Sequence, residues 1–453
     1  MKKVTPMSRL CDITTILQTS KLGGSRKQAA ISTIKALLSS DCQPCLSSFW
    51  KSITDGKKSS PLNIRSPKIK ALIHDAFQEP GGLNTLTSVQ HIIEIHRTVL
   101  NPQQRLVQPT ELSLLLVTIT WGAILDTDLD SFTKAALADA LDKITKLLIG
   151  YVDSVDKFLA LVAMLCLAER MNQKELHTLI LACAGTASCL KLHIGSVVRA
   201  SCLSEEQAAQ VERAMCILYY IEKSYALRWQ TLTLISKESL PAVETRTDPT
   251  LRKDTSAISL QLLHARTRYA HLCLHIIELR KTADENALAS FMGKITELAT
   301  ALNDWHELIT ENLSMSSLEE HTARRVTRQV FCLYHEALLH LVSIYSSHQC
   351  NSFNPPHQGL EAIRRQSIRE FILSCNTIPS EDLLQDQSFI FTSVLAFCLL
   401  VQDSWLNQNM DLRKENAALL SISNGFFARI RLMYPQSSIF EKVSTLISIV
   451  NYE

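Results

Sequence analysis

Glycine and proline are scarce in this sequence. There are 12 glycines and 13 prolines among 453 residues, under half of the ~12% that the pair makes up in an average protein. This scarcity excludes collagen-like and proline-rich chains, and it disfavours β architectures that need glycine turns. Hydrophobic residues make up 46% of the chain and charged residues only 20%, so the chain has enough apolar side chains for a large core.

Apolar residues recur at helical spacing along most of the chain, and they predict an all-α multi-helix bundle. One predicted helix has six apolar residues three or four positions apart: Leu288, Phe291, Ile295, Leu298, Leu302 and Trp305. The spacing fits a coiled-coil seam, but a seam of under three heptads favours packing on the chain's own core. A homodimer through this helix is the alternative.

The longest apolar stretches, 112–125 and 389–401, are too short to span a membrane, because a spanning helix needs about 20 residues. They predict buried core helices, and we expect no membrane contact. The thirteen cysteines are mostly single among apolar neighbours, and no apolar signal segment follows Met1. We therefore expect buried free thiols.

Positive charge is concentrated at the start of the chain. Residues 1–70 have thirteen lysines and arginines against three acidic residues, whereas the whole chain has a net charge of only +2. Such a basic segment is typical of a protein that binds a polyanion or is imported into the nucleus. A solvated basic face and an organelle presequence are the alternatives. We predict nucleic-acid contacts at seven of these residues: Arg26, Lys27, Lys57, Lys58, Arg65, Lys68 and Lys70.

The sequence pattern divides the chain into three parts. Residues 1–70 form a basic and partly flexible segment, and residues 71–349 form a helical domain. Residues 350–453 form a C-terminal helical extension that we expect to pack on the same body. Polar stretches containing proline near residues 53–68, 239–257 and 350–359 interrupt the helical pattern.

Motifs for catalysis are missing. No phosphate-binding glycine loop or nucleophile elbow occurs. His335 and His340 are five residues apart, about 140° around a helix, so they cannot bind one metal ion together. His271 and His275 do share a helical face. No acidic or thiolate ligand completes that set, so ordinary surface histidines are the better interpretation.

A lone pair of cysteines, Cys42 and Cys45, has the spacing of half a zinc site. A structural zinc site needs four ligands, and no second pair follows in the sequence. The sequence therefore predicts no metal ion, no cofactor and no enzymatic activity.

Residues 212–227 combine an acidic residue and an arginine with an aromatic helix and the charged pair Glu222-Lys223. Upstream, Leu190-Lys191-Leu192-His193 approximates a Leu-Gly-Leu-His element, and 234–236 follow as the entry into a loop. With these features, residues from about 90 to 240 resemble the fungal-specific transcription factor domain. That domain is the helical regulatory region of zinc-cluster transcription factors.

The resemblance implies a helical regulatory body that acts in transcription, often for a cluster of secondary (specialised) metabolite genes. A zinc-cluster DNA-binding domain needs six cysteines, and residues 1–165 contain only Cys11, Cys42 and Cys45. We therefore expect a nuclear protein that acts through other transcription regulators or coactivators. DNA contact would be indirect, or nonspecific through the basic segment. The alternative is a non-DNA-binding helical scaffold or interaction protein.

Within the resembling region, we expect Glu222 to pair with Arg213 or Lys223. A partly buried structural pair and an ordinary surface pair are both compatible with the sequence, and the latter would stabilise by only ~0–1 kcal/mol.

Overall fold

The computed structural model describes residues 24–39, 43–53, 64–101, 103, 105–240, 255–282, 288–312, 320–350, 358–406 and 409–451. These residues contain eighteen α-helices, two short 3-10 helices and no strand, which confirms the prediction of an all-α multi-helix protein. The α-helices are α1 Gly24–Leu37, α2 Leu46–Ile53, α3 Ser66–Gln78, α4 Val89–Leu100, α5 Pro109–Leu125, α6 Ser131–Ile149, α7 Val155–Arg170, α8 Leu176–Cys189, α9 Gly195–Ser201, α10 Glu205–Trp229, α11 Thr255–Lys281, α12 Leu288–Asn312, α13 Glu320–Cys350, α14 Gln358–Thr377, α15 Ser380–Gln385, α16 Ser388–Leu406, α17 Met410–Met433 and α18 Ile439–Asn451. The 3-10 helices are Leu83–Thr85 and Lys237–Ser239.

Local sequence fixes where several helices begin. The side chains of Asp130, Ser154 and Ser204 accept hydrogen bonds from backbone N–H groups in the first turns of α6, α7 and α10. Each of these residues satisfies a donor that a helix start leaves without a partner. The polar residue before each apolar run is therefore a start signal that can be read from the sequence.

Helix α5 lies at the centre of the larger core, and its apolar stretch 112–125 is largely buried, as predicted. It packs against α3, α6 and α7. Gly122 permits the approach of α3, because a Cβ there would lie 2.1 Å from the backbone oxygen of Leu72. No other residue type fits this contact without moving one of the two helices.

Two hydrophobic clusters form the interior of the described part of the chain. The larger is built mainly by α2 to α13, and the smaller by α1 together with α13 to α18. Helix α13 contributes to both, with Leu333 in the larger cluster and Cys332 and Leu339 in the smaller one. The predicted stretch 389–401 is buried in the smaller cluster within α16. The boundaries at residues 70 and 350 stay predictions.

Two helices inside the basic segment belong to these cores. Helix α1 packs against α18 and buries Ile34 and Leu37, while α2 packs against α6 and buries Trp50. Their apolar faces thus join the N-terminal segment to the folded body at two separate places.

Helix α12 contains the seam-like apolar row. Phe291, Ile295, Leu302 and Trp305 are at most 2% exposed, and the helix packs between α11 and α13. The indole N–H of Trp305 donates to the backbone oxygen of Ala265 on α11 at 2.9 Å. The row therefore packs on the chain's own core, as the spacing favours; a homodimer stays a prediction that this packing does not test.

Candidate functional site

A partly enclosed cavity of about 70 Å³ lies between α5, α7, α10, α11 and α13. The turn 79–82 and Asp386, which follows α15, complete its wall. The cavity is rich in charged and amide groups: Glu79, Glu169, Arg170, Arg228, Arg266, Gln329 and Asp386. Ionisable groups gathered in one internal space make it the candidate functional site.

The turn after α3 positions a backbone carbonyl group at this cavity. Gly81 has a φ of +71°, and a Cβ there would lie 2.7 Å from the side chain of Leu262 on α11. Both the backbone conformation and the lack of space therefore require glycine. The turn directs the carbonyl of Gly81 at Arg266, whose Nη1 donates to it at 2.8 Å.

Glu79 is held by two arginines. Its Oε2 accepts from Arg170 and from the indole N–H of Trp121, at 2.8 Å for the indole, and its Oε1 accepts from Arg325. Burial alone would raise the pKa of Glu79, but the guanidinium groups of Arg170 and Arg325 outweigh it and hold the pKa well below its usual range. Glu79 is therefore ionised and joins α3, α7 and α13.

A second ion pair joins α10 to α13. Arg228 Nε donates to Glu336 Oε1 at 2.5 Å, and Nη2 donates to Oε2 at 3.0 Å. The Glu336 side chain is fully buried and that of Arg228 is 11% exposed. Burial opposes the charge on Arg228, but the Glu336 carboxylate raises the pKa of the guanidinium well above its ordinary value.

Glu169 is a carboxyl group of the cavity whose pKa lies above its ordinary value. Burial raises its pKa, Arg228 and Arg266 oppose that rise, and the carboxylates of Asp386 and Glu336 add to it. The Tyr220 hydroxyl donates to Glu169 Oε1 at 3.4 Å.

Arg266 on α11 contacts uncharged groups. Its Nη1 donates to the Gly81 carbonyl, and its Nη2 donates to Gln329 Oε1 at 3.1 Å. Gln329 Nε2 in turn donates to Asp386 Oδ2 at 2.9 Å. Its guanidinium also lies over the ring of Tyr220, 5.4 Å from the ring centre. Arg266 thus connects the turn 79–82, α10, α13 and the segment after α15.

The predicted charged pair of the resembling region is fully buried. Lys223 Nζ donates to Glu222 Oε2 at 2.6 Å and to the carbonyl of Ile235 at 2.5 Å, while Leu234 N–H donates to Glu222 Oε1 at 2.8 Å. Glu222 is 2% exposed and Lys223 is not exposed at all. The surface alternative is therefore wrong, and the pair fastens the loop after α10 to the helix.

Arg213 does not pair with Glu222. It donates to the carbonyl of Thr85 at 2.7 Å and to Glu206 Oε1 at 2.8 Å. Arg213 lies nine positions before Glu222 on α10, more than two helical turns away, and this separation accounts for their different partners.

The predicted nucleic-acid residues lie at several places. Lys57 and Lys58 are outside the described residues. Arg26, which is exposed, and Lys27, which is half-buried, lie on α1 against the C-terminal helix α18.

The remaining three basic residues are at the start of α3, which packs against α5. Arg65 and Lys70 are exposed, whereas Lys68 forms an ion pair with Asp126 at the end of α5. The structure brings Arg65, Lys68 and Lys70 together on one helix end and places Arg26 and Lys27 on another helix. Their contact with nucleic acid stays a prediction.

The described histidines and cysteines form no group of three or more metal-ligating side chains. His335 is buried and its Nδ1 lies 2.8 Å from the Ser367 hydroxyl. His271 contacts the ring of Tyr219 edge-on at 5.3 Å. Cys45 is buried beside the Ser47 hydroxyl, and Cys42 is outside the described residues. Among the helices described, none is both long and apolar enough to cross a lipid bilayer.

Sequence reasoning missed the cavity because its charged residues come from distant parts of the chain. In the sequence, Glu79 is 91 residues from Arg170 and 246 residues from Arg325, its two ion-pair partners. One usable signal exists: Glu169 and Arg170 directly end the apolar stretch of α7. Where a charged residue next to such a run is buried, it needs a partner for its charge.

Comparisons with known proteins give two relatives, both from the fungus Alternaria alternata. No protein-family model matches the chain, and no solved structure matches it. The protein called AM-toxin biosynthesis protein 12-2 is 35% identical over 444 residues, which cover 98% of this chain and 68% of the relative. AM-toxin biosynthesis protein 12 is 41% identical over 341 residues, which cover 75% of this chain and all of the relative. The chain belongs to the family of the AM-toxin biosynthesis proteins 12 and 12-2.

Proposed function

We propose that this protein regulates transcription for the biosynthesis of a secondary metabolite. The observation that carries the proposal is the similarity to AM-toxin biosynthesis protein 12-2 over 98% of the chain. Because the match includes nearly every helix, a shared role in the production of a small toxic or signalling compound is the simplest inference.

The regulatory part of the proposal rests on the resemblance to the fungal transcription factor domain. Its aromatic stretch 212–227 lies within the single helix α10, and Gln230, in the left-handed region with a φ of 47°, ends that helix. The loop entry 234–236 follows and is held by the buried pair Glu222–Lys223. Helix, turn and loop thus come in the order that the resemblance implies.

A second local feature supports the same proposal. Lys191 takes the place of glycine in the family's Leu-Gly-Leu-His element, and it has a φ of 55°. Glycine is the residue that adopts this left-handed conformation at least cost. A backbone that favours glycine at this position is compatible with descent from a sequence that had one.

The protein would act through partner regulators or coactivators in the nucleus, with nonspecific support from its basic residues. The alternative is a helical scaffold without DNA contact. Lys68 forms an ion pair with Asp126, so one of the seven basic residues is less available to bind phosphate. This single contact favours the scaffold alternative.

Deletion of the gene in its source organism tests the proposal. We expect a coherent set of biosynthetic transcripts to fall together with the metabolite, and reintroduced wild type to restore both. A version fused to a strong nuclear export signal is the matched control, and it should restore neither. Loss of the metabolite with unchanged transcripts would overturn the regulatory role and favour the scaffold or an enzyme.

A further inference from the structure

The cavity contains arginine charge that ion pairs do not neutralise. Glu79 pairs with both Arg170 and Arg325, so one carboxylate faces two guanidinium groups. Arg266 donates to the Gly81 carbonyl and to the Gln329 amide, which are both uncharged. Among the described residues, no carboxylate lies within the 4.0 Å of an ion pair from its guanidinium. Arg266 and one of the two arginines at Glu79 therefore have no ion-paired carboxylate of their own among the described residues, and the other carboxyl groups of the cavity wall are Glu169 and Asp386.

The two kinds of charge differ in how they can be neutralised. A buried carboxyl group loses its charge by taking up a proton, and burial already raises the pKa of Glu169 in that direction. A guanidinium group cannot lose its proton in a protein. Since an uncompensated buried charge is costly, a guanidinium group that no ion pair neutralises favours a bound anion.

Unused hydrogen-bond donors lie on the same arginines. Arg170 has an exposed side-chain fraction of 6%, and its Nε and Nη2 have no partner among the described residues. The Nε of Arg266 is in the same situation. Buried donors of this kind normally have partners. The Nε and Nη2 of one guanidinium group can donate two parallel hydrogen bonds to the two oxygens of a carboxylate.

The size of the cavity limits what it can hold. Its volume of about 70 Å³ is room for about five water-sized groups. Trp121, Ile217 and Leu333 supply apolar wall between the polar groups. A short organic acid satisfies both conditions, whereas a phosphorylated nucleoside is far too large.

We propose that the cavity binds a small organic carboxylate, with Arg170, Arg228 and Arg266 supplying positive charge and the Glu169 carboxyl group supplying a further hydrogen bond. The site is a property of the folded chain and does not depend on the proposed role in transcription. Binding would draw together α7, α10, α11 and α13, the helices that line the cavity.

Calorimetric titration and thermal unfolding of the purified full-length chain test the charge requirement. The probes are acetate and acetamide, which have the same size and shape but differ in charge. We expect acetate to bind and to raise the unfolding temperature, and acetamide to do neither. Equal effects of the two probes, or no binding of acetate, propionate or lactate, would overturn the proposal.

Arg266→Gln removes one positive charge, and Arg268→Gln is its matched control on the exposed face of the same helix. We expect Arg266→Gln to weaken acetate binding by about tenfold to a hundredfold, the range for one hydrogen bond to a charged group. Arg268→Gln should bind like wild type. Equal affinities of a folded Arg266→Gln variant and wild type would contradict the assignment.

The role of Glu169 has its own readout. The charged groups that act on it are Arg228, Arg266, Asp386 and Glu336, and Tyr220 donates to it. As the pH rises, Glu169 ionises and repels the ligand, so acetate affinity should fall in wild type. Glu169→Gln keeps the shape of the protonated acid, and its acetate affinity should be independent of pH. A parallel loss of affinity in both proteins would rule out Glu169 as the donor.

Discussion

Arg228 and Glu336, which are 108 residues apart in the sequence, form a bidentate ion pair between α10 and α13. The pair lies next to the cavity, with Arg228 in its wall and Glu336 fully buried behind it. Removing either partner would leave the other charged in a space that water hardly reaches. The packing of α10 near α13 therefore depends on both residues.

Glu336→Gln should destabilise the protein by about 3–5 kcal/mol, the usual cost of leaving one partner of a buried ion pair behind. Urea unfolding measures the change. The double variant Arg228→Met with Glu336→Leu removes both charges and should recover most of the loss. Glu320→Gln is the control, because Glu320 forms an exposed pair with Arg324 at 4.0 Å and should change stability by at most about 1 kcal/mol.

The contact of α5 with α3 makes a second prediction. Gly122→Ala places a Cβ against the Leu72 backbone and should destabilise by about 1–3 kcal/mol through overpacking. Gly185→Ala is the matched change within α8, where a Cβ meets nothing within 4 Å. This change should stabilise the protein by about 0.5–1 kcal/mol, because alanine has a higher helix propensity than glycine. Thermal unfolding separates the two, and equal shifts would show that the approach at Gly122 is not close.

Much of the fold could be predicted because its signals are local. The buried helices at 112–125 and 389–401 follow from apolar runs that are too short for a membrane, and polar residues such as Asp130 and Ser154 mark helix starts. The seam of α12 was predicted to pack internally, and it does so because α11 and α13 cover it.

The candidate site could not be predicted because each of its contacts joins distant segments. The clamp on Glu79 requires α3, α7 and α13 to meet, and no periodicity encodes that meeting. The burial of Lys223 could not be predicted either, since the sequence of the pair Glu222-Lys223 is compatible with both a surface pair and a buried pair. The partners that distinguish the two, the backbone groups of Leu234 and Ile235, are known only from the folded structure.

His335 makes stability depend on pH. Burial first, and His306 next, lower its pKa to about 3 from an ordinary value of 6.5. The folded pKa is the lower one, so the unfolded chain takes up the proton first as the pH falls. The neutral form therefore stabilises fully above pH 6.5, and this contribution is lost towards pH 3, by about 2 kcal/mol between pH 7 and pH 5.

His335→Gln isolates this effect in urea unfolding at the two pH values, and glutamine can retain a hydrogen bond to Ser367. We expect wild type to lose about 2 kcal/mol more than the variant on going from pH 7 to pH 5. His193→Gln at an exposed position should lose as much as wild type. Parallel losses in wild type and His335→Gln would mean that the buried imidazole does not control the slope.

The predicted nucleic-acid contact requires charge changes rather than truncation, because α1 and α2 bury Ile34 and Trp50 in the two cores. Arg26, Arg65 and Lys70 are exposed, so replacing all three with glutamine should preserve the fold. We expect weaker binding to duplex DNA of any sequence. The slope of log affinity against log salt should fall in magnitude by about 0.9 for each phosphate that the variant no longer neutralises.

Lys68→Gln serves as the control on the same helix as Lys70. Because Lys68 is held by Asp126, its charge should contribute less to phosphate binding than that of Lys70, and the salt slope should change little. An unchanged slope in the triple variant would refute the assignment of these residues. Wild type that binds no DNA even at low salt would instead support the scaffold, since nonspecific phosphate contacts are strongest there.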